Sequence, residues 1–230
     1  MRRSLVRVAA ATATTLAVLT GCDSAGHSAP AAAPGSFDPA QAVANASKEP
    51  YAVSVKVTGG PDAMVLTARQ NVNTLQTGHR EQKDPDGSTM EFITTATSEY
   101  MRGYDASGRW KKIPKSNDAW ELDFTGYAPL LLAQGNATRK GMESRDGVPV
   151  YHLAGHLGIE QVAGVTPEFY RATKSSGVTG FDLDQWIDAQ GRTRYVEEAM
   201  VVDGAMRVIK ATYSDFGPAE TFTAPPTDAA

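Results

Sequence analysis

Six turn signals punctuate the chain between residues 59 and 204, and they constrain its fold more than any other feature. Four are Gly59-Gly60-Pro61-Asp62, Asp86-Gly87, Asp146-Gly147 and Asp203-Gly204. Two more are near copies, Asp105-Ala106-Ser107-Gly108-Arg109 and Asp188-Ala189-Gln190-Gly191-Arg192, with Asp first and Gly last as a type I turn prefers. Asp-Gly pairs favour the tight turns whose twist matches antiparallel strands. The runs between them alternate apolar and polar residues, most cleanly at Val53, Val55 and Val57, and again over 64–72, 90–96, 150–157, 181–188, 195–202 and 206–216. A large antiparallel meander follows, and its apolar face needs a cover.

Three segments have helical signals. Asp38-Pro39-Ala40-Gln41 supplies an N-cap acid, a proline for the first helical position and a glutamine two residues later, with Pro50 beyond the end. Ala128-Pro129-Leu130-Leu131-Leu132-Ala133, closed by Gly135, carries more apolar surface than a one-sided helix of that length needs. Thr166-Pro167-Glu168-Phe169-Tyr170-Arg171-Ala172, closed by Gly177, is the third.

The N-terminus has a different grammar. Arg2, Arg3 and Arg7 precede an apolar run from Val8 to Leu19, the pattern of a secretory signal. That run is about a dozen residues, short of the roughly 20 a membrane-crossing helix needs. It ends in Leu19-Thr20-Gly21-Cys22, which resembles the lipobox of bacterial lipoproteins and holds the chain's one cysteine. Cleavage between Gly21 and Cys22 would leave Cys22 as the lipidated N-terminus, and a single cysteine allows no disulfide within the chain. Two or more acyl chains hold a protein on a membrane stably, since each buried methylene contributes about 0.8 kcal/mol.

The expected organisation is a lipoprotein signal peptide at 1–21, a disordered tether at 22–36, one domain at 37–223 and a flexible tail at 224–230. Fourteen tether residues rich in Ala, Pro, Ser and Gly have a typical end-to-end distance of about 20 Å. From residue 22 onward the chain carries 19 basic and 26 acidic side chains, a net charge of −7. That excludes a nucleic-acid or anionic-lipid surface as a partner, because both require a basic face. The expected partner is the membrane, through acylated Cys22, on its extracytoplasmic face, with the protein a monomer.

Motifs for catalysis are missing from the sequence: it has no Gly-x-Ser-x-Gly elbow, Ser-x-x-Lys pair, His-Glu-x-x-His or phosphate-binding Gly-Lys-Ser/Thr. The histidines are His27, His79, His152 and His156. His152 and His156 have the helical spacing of zinc ligands, but their run contains Gly155 and follows a hairpin turn. On a strand their side chains start roughly 13 Å apart, too far to share an ion. Asp182, Asp184 and Asp188 share a strand face by the same period and read as solvated. Trp110, Trp120, Trp186, Phe169 and Tyr170 read as packing residues. No enzyme, cofactor or metal is expected.

The order of parts, together with the phrases Tyr104 to Lys112, Trp186 to Arg192 and Tyr213-Ser214-Asp215-Phe216-Gly217, resembles the actinobacterial lipoproteins of the LppX/LprG type, related in fold to the LolA/LolB carriers. The resemblance spans most of residues 37–226. It implies an α+β fold: a large curved antiparallel sheet, or half-barrel, with helices over its concave face and an apolar cavity between them, where members bind acylated lipids or lipoproteins. Leu130, Leu131, Leu132, Phe169 and Tyr170 are the expected cavity residues. The expected function is binding or relay of a lipid or other apolar ligand in the envelope. The alternative is a filled core and a non-enzymatic scaffold or regulator acting through protein contacts.

Overall fold

In the computed structural model, described over residues 37–59, 64–115 and 123–226, the first element is the helix read from its cap. Asp38 Oδ1 accepts from the amides of Ala40 (2.9 Å) and Gln41 (3.3 Å), satisfying two of the free donors of α1 (Pro39–Ala46). Eleven strands follow, with three further helices: β1 (Tyr51–Gly59), β2 (Val65–Val72), β3 (Gly78–Lys83), β4 (Thr89–Thr94), β5 (Glu99–Arg102), β6 (Lys111–Ile113), α2 (Tyr127–Ala133), β7 (Arg139–Arg145), β8 (Val148–Gly158), α3 (Ile159–Val162), α4 (Pro167–Ser175), β9 (Gly180–Ile187), β10 (Thr193–Val202) and β11 (Ala205–Pro218). No described helix is long and apolar enough to cross a membrane.

The strands form one open antiparallel sheet in the order β6-β5-β4-β3-β2-β1-β11-β10-β9-β8-β7. Two meanders, β1–β6 and β7–β11, therefore meet where the first strand pairs with the last, Tyr51 opposite Pro218 and Val55 opposite Tyr213. Two of the Asp-Gly pairs show the expected hairpin chemistry, while Gly60, Pro61 and Asp62 of the first turn signal lie outside the described residues. Asp146 and Gly147 both take positive φ (52° and 76°), as do Asp203 and Gly204 (51° and 76°), the conformation that two-residue hairpins require. In the two near-copy turns, the aspartate side chain accepts from the amide two residues on, Ser107 or Gln190, each at 3.0 Å.

Register decides which side chains enter the core. Val53, Val55, Leu66, Leu153, Leu157, Phe181, Leu183, Ile187, Val196, Ala211 and Tyr213 face one way and join Tyr127, Ala128, Leu131, Ile159 and Val162 of the helices in one buried cluster. The helices pack mainly on β8 and β9. At the other end of the sheet the same face is polar: Arg80 pairs with buried Glu99 (3.7 Å) and lies 4.2 Å over the Phe92 ring.

Four strands had no alternating apolar signal. The core-facing positions of β3 are Gly78, Arg80 and Gln82, and β5, β6 and β7 lie at or near the sheet's two edges. Asp188 also departs from the sequence reading. It lies beyond the end of β9, buried in the turn, where Oδ1 accepts from Gln190 and Arg192 amides and Oδ2 pairs with the Arg192 guanidinium (2.8 Å). Its chemistry is that of a turn acid, which outweighs the strand period.

Candidate functional site

An apolar pocket of about 440 Å³ opens where α1, α2 and the strand ends converge. Ala40, Val43 and Ala44 form one wall, and Pro129, Leu132 and Ala133 the other. Tyr51, Thr193, Gly191, Arg192 and Arg139 complete it from the sheet side. The volume lies within the roughly 300–1,000 Å³ of small-molecule sites. A hollow of similar size, about 450 Å³, lies on the outer face over β1–β3, but its lining includes Lys56, Arg69, His79 and Glu81.

The fit of α1 to the sheet depends on Gly191. Its φ is +79°, and a Cβ there would land on the Ala42 carbonyl carbon and oxygen and 2.5 Å from the Val43 nitrogen. The same turn thus reverses the chain between β9 and β10 and seats the pocket wall. On the opposite wall, Gly135 has φ +94° and ends the α2 segment, while Thr138 Oγ1 donates to the Leu131 (2.7 Å) and Gly135 carbonyls.

Of the five leucine and aromatic residues singled out in the sequence, Leu132 lines this pocket. Leu131 is fully buried in the core beside it, and Leu130 packs against that core. Phe169 meets Phe181 edge-on with ring centroids 5.7 Å apart. Tyr170 bonds Glu160 (2.9 Å) and Lys174 (2.6 Å) at the surface. Gly21, Cys22 and Trp120 lie outside the described residues. Sequence reasoning missed α1 as a wall and Arg139 as a lining residue. The apolar face of α1, Ala40, Val43 and Ala44, was a usable signal; the exposure of Arg139 to a pocket was not.

Among the described residues the histidines are each bonded to a carboxylate. His152 and His156 lie on β8, as expected, and bond across to Asp184 (2.7 Å) and Asp182 (2.9 Å) of β9; His79 bonds Glu91 (3.2 Å). Among the described residues no group of three or more metal-binding side chains converges. On the outer face, Trp186 is stacked between His152 (4.6 Å) and the Arg145 guanidinium (3.9 Å), which keeps the indole covered. Inside the core, Glu198 is fully buried and burial pushes its carboxyl up to about 8. The hydroxyl of Tyr213 accepts from the Phe124 amide at 3.1 Å, and Gln185 donates to the Phe124 carbonyl at 3.1 Å, fixing the approach to α2.

Among solved structures, that of LprF from Mycobacterium bovis aligns with a TM-score of 0.55 at 15% identity, over 81% of this chain and 96% of that one. The chain has the LprF fold. The Mycobacterium tuberculosis lipoprotein LppX aligns with a TM-score of 0.48 at 12% identity, over 80% of this chain and 96% of that one. No family model matches the sequence, and no curated protein does. At 15% identity it is the fold that is shared with LprF.

Proposed function

We propose that this protein is a membrane-tethered extracytoplasmic lipoprotein that binds a lipid or other apolar molecule and relays it over a short range in the cell envelope. The observation that carries the reading is the apolar pocket between α1 and α2, bounded by the leucine-rich segment whose surplus apolar surface suggested a ligand. The LprF-like fold supports it, as does the lipobox at Cys22, which would place the pocket about 20 Å from a membrane on a soft tether.

A second reading, a scaffold working through protein contacts, is favoured by one feature. Val201, Met206 and Val208 are 54%, 64% and 39% exposed and lie together on the outer face of the β10–β11 hairpin. Native mass spectrometry separates the two. Protein purified from its natural host without detergent should carry an adduct that solvent extraction removes and identifies as an amphiphile or other apolar molecule. Adduct-free protein would turn the assignment towards the scaffold.

A further inference from the structure

We propose that the occupant of the α1–α2 pocket is a single-tailed amphiphile with an anionic head, a carboxylate or a phosphate, and that Arg139 holds the head. This rests on the pocket being a ligand site at all, and it adds the ligand's size and charge.

Size comes first. A pocket of about 440 Å³ lies towards the lower end of the roughly 300–1,000 Å³ of small-molecule sites, a size that suits one chain with a small head.

Charge is the second constraint. The chain has 26 acidic residues, yet the lining contains none; its ionisable groups besides the Tyr51 phenol are Arg139 and Arg192. Arg192 is already neutralised by Asp188 (2.8 Å) and lies 4.3 Å over the Phe216 ring. Arg139 has no such arrangement. It begins β7 opposite Leu153, on the core-facing side, and its buried Nε has no hydrogen-bond partner. Among the described residues no carboxylate and no aromatic face pairs with it. Other arginines are engaged: Arg69 with Glu220, Arg80 with Glu99, Arg102 with Glu91 and Arg145 with Glu197.

The lining thus presents a guanidinium with no carboxylate opposite it, and an anionic head brought to that guanidinium gains a charge-assisted contact. Tyr51 supplies a second donor at the same pocket. Burial first, and then the nearby Asp123, raise its phenol well above the ordinary range, so it stays protonated. A cationic head finds no carboxylate in the lining, and a neutral head leaves the Arg139 guanidinium without a counter-charge.

The test is isothermal titration of the full chain with Cys22→Ser, using dodecanoate, dodecyl phosphate, dodecanol and dodecyltrimethylammonium below their micellar concentrations. The wild-type pocket should bind at least one of the two anions about tenfold or more tighter than dodecanol, and the cation most weakly; the tighter anion identifies the head. Arg139→Gln should bring the anions down to the dodecanol affinity while leaving dodecanol unchanged, and Arg139→Lys should retain part of the preference. Equal binding of dodecanol and both anions, or an anion preference that survives Arg139→Gln, overturns the proposal while leaving a ligand pocket in place. If none of the four binds, the pocket reading fails and takes this inference with it. Should Arg139→Gln not fold, Arg139→Met takes its place, and an anion preference that survives it overturns the proposal equally.

Discussion

Replacing Glu198 by Gln should remove much of the protein's loss of stability as pH rises from about 5 to about 8. Glu198 lies on the core face of β10, opposite Leu183 of β9 and Ile209 of β11, and is fully buried. Neither carboxylate oxygen meets a hydrogen-bond partner of good geometry. Burial raises its pKa from 4.5 to about 8, with the nearby Tyr127 hydroxyl opposing the rise. The folded protein therefore keeps a proton that the unfolded chain releases above about pH 4.5. The stability this contributes is complete below that pH, declines by about 1.4 kcal/mol per pH unit as pH rises, and is lost once pH passes about 8. The full span is roughly 5 kcal/mol, comparable to the entire stability of many domains. Gln has nearly the same shape and no proton to release. Urea unfolding of both proteins between pH 5 and 9, followed by tryptophan fluorescence, should give stability curves that diverge across this window, with the Gln variant several kcal/mol the more stable at pH 9. Curves that stay parallel would refute the reasoning, because they would mean that the carboxyl is solvated or partnered in the folded state.

Gly191→Ala combines a positive φ with a Cβ driven into the α1 backbone; it should destabilise the protein by about 2 kcal/mol or more and weaken ligand binding at the pocket, read by thermal unfolding and dodecanoate titration. A variant as stable as the wild type would show that α1 does not rest on this turn. For the anchor, Cys22→Ala should release the protein from membranes or leave its precursor unprocessed; unchanged partitioning into the detergent phase would dismiss the lipobox.

Much of the fold could be read from local chemistry. Asp38 and Pro39 announce α1, the Asp-Gly pairs announce their hairpins, and apolar alternation locates β1, β2, β4 and β8–β11. Strand β3 was hidden because the residues it turns inward are Gly78, Arg80 and Gln82, whose environment is set by Glu99 and Phe92, encountered only after the sheet forms. α3 is a four-residue turn that continues directly from β8, with Gln161 accepting from the Gly158 amide at 2.7 Å, and so short an element has no period to detect. The leucine segment pointed to the correct region, yet its three side chains diverge: Leu131 fills the core, Leu132 reaches the pocket and Leu130 packs at the margin. Three consecutive residues of a helix lie about 100° apart around its axis, so they could not all face one cavity. Arg139 was illegible for a different reason. Its interest lies in the lack of a partner, and a sequence does not print which charges are left over.

The central seam between β1 and β11 has a consequence for how the molecule comes into being. Tyr51 pairs with Pro218 and Val57 with Ala211, so the two meanders are joined by contacts separated by most of the chain. Local hairpins can form early, but the seam must await the last strand, and contacts of such long separation slow folding. The pocket is assembled from α1, β1 and the start of β10, elements that flank that seam on both sides. It is therefore among the last features to exist. A nascent chain of this design has no such pocket until most of it has been made.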